Sequence, residues 1–271
     1  SSGIQAIPVI AREAAHLTVF QRTANYSLPS RNCPMTAPYE TEWKSAYPER
    51  RKEMRYTSQG ALKDLNDEAA MEVSAERRKT VYEERWASGG ATLLGAFNNL
   101  LSDQTANDTA AEFVRDKIRH IVKDADTAKL LCPNDHPIGT KRICIDSGYY
   151  ETYNQENVEL VDVSATPIER LTEQGLVANG RSFAFDSIVF ATGFDAMTGT
   201  LFNIDIRGRD DLRLKDKWAA GPRTYLGLMS HGFPNLFMVT GPGSPSVKGN
   251  MATSIEQHVD FVTDCLVHLR A

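Results

Sequence analysis

Ser1-Ser2-Gly3-Ile4-Gln5, followed by the apolar residues Ile7, Val9 and Ile10, looks like the end of a glycine-rich turn entering a helix. If Gly3 closes a G-x-G-x-x-G turn, a strand should follow and end in a ribose-reading residue about 20 positions on. His16-Leu17-Thr18-Val19-Phe20 supplies that strand and Gln21-Arg22-Thr23 its end. A turn reading NAD carries Asp or Glu there, whereas a 2′-phosphate asks for a cation and a hydroxyl donor. Arg22 and Thr23 therefore point to NADP. A cation merely closing a surface strand is the alternative for Arg22, and its distance from Gly3 favours the nucleotide. The strand that normally precedes such a turn is expected ahead of Ser1.

Working outward, the second stretch is Lys141-Arg142-Ile143-Cys144-Ile145-Asp146-Ser147-Gly148-Tyr149-Tyr150, which sets two permanent cations at the start of a short apolar strand and so asks for an anion. Strands are expected over 142–145, 158–163, 168–172 and 187–191, separated by turns at Glu173-Gln174-Gly175 and Asn179-Gly180. Ile188-Val189-Phe190 is expected as a buried strand that runs through Ala191-Thr192-Gly193, small residues that let backbone approach a ligand. Taken alone, those three residues read as a plain strand-to-loop turn.

Between these strand regions the chain is helical and charged. A helix opens at Ser74, carries Val81, Tyr82 and Trp86 inward and stops at Gly89-Gly90; another runs over about 109–123 with Ala111, Phe113, Val114, Ile118, Ile121 and Val122 as its stripe. Trp43 and Trp86 read as packing anchors. In the last third, 236–240 is expected as a buried strand, Gly241-Pro242-Gly243-Ser244-Pro245 as a loop, and the rest as a helix. Strand, loop and helix terminus together make a platform for phosphate or flavin. Glu256, His258 and Asp260 read as exposed helix residues, and His231 as a loop residue.

Composition narrows the class. At 271 residues, 41% hydrophobic and 24% charged, the chain has ordinary globular usage, enough for one large or two medium domains. A net charge of −5 gives no general reason for a nucleic-acid or anionic-membrane partner. The four cysteines form no C-x-x-C pair, so neither metal nor a disulfide framework is expected and a cytoplasmic setting fits.

The ordered combination Ser-Ser-Gly-Ile-Gln, Val-Phe-Gln-Arg-Thr, Lys-Arg-Ile-Cys-Ile-Asp with Tyr-Tyr-Glu, Phe-Ala-Thr-Gly-Phe-Asp-Ala and Gly-Pro-Gly-Ser-Pro-Ser resembles the flavoprotein Baeyer–Villiger monooxygenases. The likeness is greatest to the phenylacetone and steroid monooxygenase branch and extends over essentially the whole chain. It implies an α/β fold: a Rossmann-like NADP-binding domain (1–30 and 139–193) interrupted by a helical insertion (31–138), then part of an FAD-binding Rossmann-like domain (194–271).

It also implies the chemistry. Such enzymes use FAD and NADPH to insert one oxygen atom of O2 beside a ketone carbonyl, through a flavin peroxide and a Criegee adduct, giving an ester or lactone. By resemblance Arg142 is the catalytic arginine. Lys141, Arg22 and Thr23 clamp the 2′-phosphate. Ser2, Gly3 and Gln5 lie beside the pyrophosphate, and Ala191, Thr192, Gly193 and Met251 lie near the cofactors. Ser244, Pro245, Ser246 and Val247 line the substrate pocket. The FAD turn, the family fingerprint F-x-G-x-x-x-H-x-x-x-W and the carboxylate partner of the arginine are expected before Ser1, and a tryptophan near the nicotinamide after Ala271. On this reading the chain is an internal fragment that needs flanking sequence of the same protein to hold FAD and turn over. Two alternatives stay open: a flavin-containing N- or S-hydroxylating monooxygenase, and a non-catalytic NADP-binding module.

Overall fold

The structure, a computed structural model, describes residues 2–57, 59–62, 65–244 and 249–271. Its helices in chain order are α1 (Ser2–Glu13), α2 (Ala37–Ser45), α3 (Tyr47–Met54), α4 (Ala75–Ser88), α5 (Gln104–Ile121), α6 (Ala125–Leu131), α7 (Tyr149–Thr152), α8 (Gly199–Phe202), α9 (Leu214–Lys217) and α10 (Met251–Arg270). The strands are β1 (Leu17–Gln21), β2 (Ser27–Pro29), β3 (Cys144–Asp146), β4 (Val158–Asp162), β5 (Arg170–Thr172), β6 (Gly175–Ala178) and β7 (Arg181–Ala184). Residues divide between two compact units, Ser1–Pro34 with Lys63–Ala191, and Met35–Leu62 with Thr192–Ala271. The stretch 31–138, expected as one helical insertion, thus contributes to both.

In the first unit β1 pairs parallel with β4, Leu17 opposite Val158, and β2 pairs parallel with β3, Ser27 opposite Cys144. Strands β5, β6 and β7 form an antiparallel meander whose turns fall where Glu173-Gln174-Gly175 and Asn179-Gly180 placed them. Parallel pairing of strands so far apart in sequence requires crossover connections, and helices supply them. Side-chain oxygens cap three of these: Ser74 accepts from Arg77 N, Asp103 from Ala106 N and Asp124 from Thr127 N. The Asp103 cap starts α5 earlier than the apolar stripe alone indicates. Helix α4 stops at Gly89, whose φ of 73° is left-handed; a Cβ there would also meet the Arg31 side chain at 2.4 Å.

The core of this unit gathers Tyr26, Leu28, Val81, Tyr82, Trp86, Phe97, Val114, Ile118 and Tyr150. Trp86 meets Phe113 edge-on, with centroids 6.0 Å apart, as an anchor should. Trp43 does not: it is exposed and carries the Arg50 guanidinium 4.2 Å from its ring. Within the core Asn107 is 4% exposed and joins two segments. Its Nδ2 donates to Leu100 O and to Ile138 O, both at 2.8 Å, and its Oδ1 accepts from Ile138 N at 3.0 Å. Asn107→Ala leaves these buried backbone groups unpaired, and a loss of about 2 kcal/mol of unfolding free energy is expected. Urea denaturation checks it; a loss below about 0.5 kcal/mol would mean water replaces the amide.

Two expected strands are absent. Residues 187–191 form no strand, and Val189 and Phe190 are 70% and 64% exposed. Residues 236–240 likewise form no strand; Met238 is buried, Val239 is exposed and Thr240 turns left-handed at φ 56°. A strand needs a run of backbone hydrogen bonds to a neighbour; among the described residues 236–240 makes one such bond, Met238 N to Leu228 O at 2.8 Å, and 187–191 makes none. Strand β3 begins at Cys144 instead of Arg142, and the exposed β5 begins at Arg170.

In the second unit Leu214, Trp218, Phe233 and Met238 form a small core. Here α3 is tied to α10 through Arg51, which reaches Glu256 at 2.5 Å, and through Arg55 to the same carboxylate at 3.5 Å. The start of α10 is also fixed: Asn250 N donates to Gln59 O and Thr253 Oγ1 to Gly60 O. Among the described residues no helix is long and apolar enough to cross a membrane, and no group of His, Cys, Asp or Glu could hold a metal ion.

Candidate functional site

The N-terminus of α1 lies beside β3, where Gln5 Nε2 donates to Ile145 O at 3.2 Å. A Cβ on Gly3 would sit 3.4 Å from Ala191 Cβ, so those residues are neighbours, close enough for backbone to face backbone. The loop after β1 is fastened to the segment before β3. Asn25 Nδ2 donates to Arg142 O at 3.1 Å and lies 3.4 Å from Cys144 Sγ, while Cys144 N donates to Tyr26 O. One edge of this unit therefore brings together Gly3, Gln5, the loop bearing Arg22 and Thr23, the Lys141-Arg142 pair and Ala191. Ser2 opens α1 and is exposed.

The cations at that edge differ in their surroundings. Arg22 and Thr23 are exposed, and among the described residues neither makes a side-chain hydrogen bond or ion pair. Lys141 Nζ lies 3.3 Å from Asp135 Oδ2, both half-exposed. The other Asp135 oxygen meets His136 Nδ1 at 2.5 Å, and His136, Asp135's principal partner, together with Lys141 holds this carboxyl below the usual range. The His136 ring is buried edge-on against Tyr26, centroids 5.3 Å apart, and among the described residues its Nε2 has no partner. Burial raises the Tyr26 phenol, partly offset by Arg115, whose Nη2 donates to its oxygen at 3.1 Å.

Behind the edge, Asp146 ends β3 and organises the next turn. One oxygen makes a very short hydrogen bond from Ser27 Oγ, and the other accepts from Gly148 N and Tyr149 N at 3.1 and 2.9 Å. The aromatic run that follows is structural: Tyr150 OH accepts from Ser27 N, and burial pushes the Tyr149 phenol up to about 12. The two cations thus stand at the mouth of a loop anchored by Asn25 and, through Ile138, by Asn107.

The remaining site residues lie in the second unit. Thr192 and Gly193 are exposed, and Gly193 has φ 88°. Met251 is the first residue of α10, behind the Asn250 cap. Ser244 N donates to Gly241 O, Gly241 N to Gly227 O at 3.1 Å, and Thr224 Oγ1 to Pro242 O at 2.6 Å. Thr240 N donates to His258 Nδ1 at 3.0 Å. A left-handed β-branched residue costs about 1–2 kcal/mol, so Thr240 is held there by its partners. Pro245, Ser246 and Val247 lie outside the described residues.

His258 is only 6% exposed, contrary to the expectation of an exposed helix residue, whereas Glu256 and Asp260 face Arg51 and Arg55 at the surface. Its spacing from Ile255 and Val262 puts it on the helix's apolar stripe, a signal readable in the sequence. Asn25 and Thr224 carried no comparable pattern, since each acts through contacts with residues distant in the chain, and the Asp135, His136 and Lys141 contacts, though close in sequence, lie in an irregular loop.

No protein-family model matches the chain. Among curated proteins it is 40% identical over 271 residues to 2-oxo-Δ3-4,5,5-trimethylcyclopentenylacetyl-CoA monooxygenase of Pseudomonas putida, covering 100% of this chain and 50% of that protein. It is 38% identical to a Baeyer–Villiger monooxygenase of Pseudooceanicola batsensis and 38% identical to a phenazine N-monooxygenase of Lysobacter antibioticus, each covering 98% of this chain and 49% of the relative. Among solved structures, oxidised steroid monooxygenase bound to NADP superposes with a TM-score of 0.92 at 53% identity, covering 100% of this chain and 52% of that one. A complex of OTEMO with FAD and NADP gives a TM-score of 0.94 at 38% identity, covering 99% and 50%. The chain spans about half the length of these relatives. The fold is therefore α/β, and by sequence and structure alike the chain is similar to about half the length of several monooxygenases, Baeyer–Villiger enzymes among them.

Proposed function

We propose that the chain supplies the NADP-binding part, and some of the FAD-binding part, of an FAD- and NADPH-dependent monooxygenase that inserts one oxygen atom of O2 beside a ketone carbonyl. In this reading 1–30 and 139–193 belong to a Rossmann-like nucleotide domain, and 194–271 to the flavin side. The observation that carries it is the convergence of Gly3, Gln5, the Arg22-Thr23 loop and Lys141-Arg142 on one edge, in a chain 53% identical to a steroid monooxygenase bound to NADP.

The residues suit a dinucleotide. The N-terminus of α1 presents backbone N–H groups, and Gly3 adds no side chain between them and a pyrophosphate. Arg22, Thr23 and Lys141 offer two positive charges and a hydroxyl to a 2′-phosphate. Ala191, Thr192 and Gly193, at the end of the nucleotide domain, are small residues that let a cofactor approach the backbone, and on the flavin side Met251 opens a twenty-residue helix. Bound there, FAD and NADPH would supply the reducing equivalents and the activation of O2. The chain's own contribution to oxygen transfer is Arg142: its planar, permanently charged guanidinium is suited to stabilise negative charge developing on oxygen, and it needs no proton exchange to do so. Ser244, Pro245, Ser246 and Val247 are assigned to the wall against which the ketone rests.

A second reading has a specific support: a relative named for N-oxygenation is as similar as one named for Baeyer–Villiger oxidation. Product analysis of the intact protein with NADPH and O2 separates them. A cyclic or aryl ketone should give an ester or lactone; N-oxide from a nitrogen heterocycle with no ester from any ketone would transfer the assignment to the second reading.

A further inference from the structure

Resting on that reading, we propose that Thr224 and His258 are positioning residues that set the backbone of Thr240–Ser244, the stem leading into the substrate wall. The stem begins with Thr240, left-handed without being glycine, and two separate elements hold it. From α10, the buried His258 accepts Thr240 N at Nδ1, so this nitrogen carries no proton and the ring can serve only as an acceptor there. From the 224–228 turn, Gly227 O accepts Gly241 N, and the Thr224 hydroxyl donates to Pro242 O while accepting Gly227 N at 3.1 Å. The turn and the stem interlock: a Cβ on Gly227 would lie 2.4 Å from Ser244 Cβ and 2.6 Å from Ser244 N. The stem is thus pinned at Thr240, Gly241 and Pro242 by groups distant in sequence. Backbone held out of its preferred conformation by several outside partners is a device for fixing geometry, and reactions that depend on alignment lose rate steeply when it slips.

The test uses the intact flavoprotein. His258→Leu and Thr224→Val remove the two polar contacts, while His258→Asn keeps an acceptor near the place of Nδ1 and Thr224→Ser keeps the hydroxyl. The first pair should lose roughly tenfold in ester formed per NADPH consumed and raise KM for the ketone. The rate of flavin reduction by NADPH should stay near wild type even though the lost contacts lower the melting temperature somewhat, and the second pair should recover most of the coupling. Unchanged coupling in the Leu and Val variants overturns the proposal, as does a loss that follows the melting temperature and is not rescued. Should His258→Leu not fold, the Thr224 pair decides alone. A wild-type enzyme that makes no ester defeats the underlying reading first, which the control shows separately.

Discussion

Replacing Arg142 by alanine is expected to lower ester formation by the intact enzyme about 10³-fold while NADPH consumption continues, the scale seen when a single preorganised donor to a developing oxyanion is removed. The split between the two rates is the informative part. Arg142 is held to the Asn25 loop through its backbone carbonyl, so truncating the side chain leaves that anchor in place. Ile138, upstream, stays fixed by Asn107, and the neighbouring Lys141 keeps its place beside Asp135. The nucleotide edge should therefore survive, and reduction with it. Arg142→Lys restores a charge without the fork and should recover only a small part. Product quantification alongside NADPH oxidation checks both; ester formation unchanged in the alanine variant would remove Arg142 from the oxygen-transfer role.

The second large effect is expected from Arg22→Ala. Hydrogen bonds to charged groups are worth about 1.5–3 kcal/mol, so NADPH should bind roughly 10- to 150-fold more weakly while NADH binding barely changes. Arg22 is exposed and has no side-chain partner among the described residues, so the variant should melt as wild type does. Lys141→Ala should cost less, because Asp135 already neutralises part of that charge. The Arg22 effect should also shrink as salt is added, since the phosphate and the guanidinium meet near solvent. Titration of the reduced nucleotides into the intact protein measures it, and equal weakening of NADPH and NADH would withdraw the 2′-phosphate assignment.

Where local chemistry decides the structure, the sequence was readable. Ser74 before Glu76 and Arg77, the meander turns at Gly175 and Asn179-Gly180, and the stripe from Ala111 to Val122 all lie where pattern and capping put them. Lys141 and Arg142 stand exposed before β3, as two charges ahead of an apolar strand should. The misreadings share one cause. Ile188-Val189-Phe190 and the 236–240 segment have strand composition, yet a strand exists only by pairing, and pairing is not a property of the segment itself. Trp43 erred the other way: its size suggested a core, but it stacks with Arg50 at the surface. Asn25 and Thr224 act across long sequence distances, which no local pattern encodes.

The division of 35–62 from its chain neighbours has a consequence for the order of events during synthesis. The carboxylate that receives Arg51 lies 205 residues further on, at Glu256. As the chain leaves the ribosome, α2 and α3 emerge early and wait through the making of the first unit before α10 arrives to meet them. Loop closure over that span must precede any gain from the contact, which slows folding and lengthens the time these helices stay uncovered. A chaperone acting on this chain would therefore be needed longest for an early segment, and a ribosome stalled shortly before Met251 would hold a first unit able to fold and a second one still waiting.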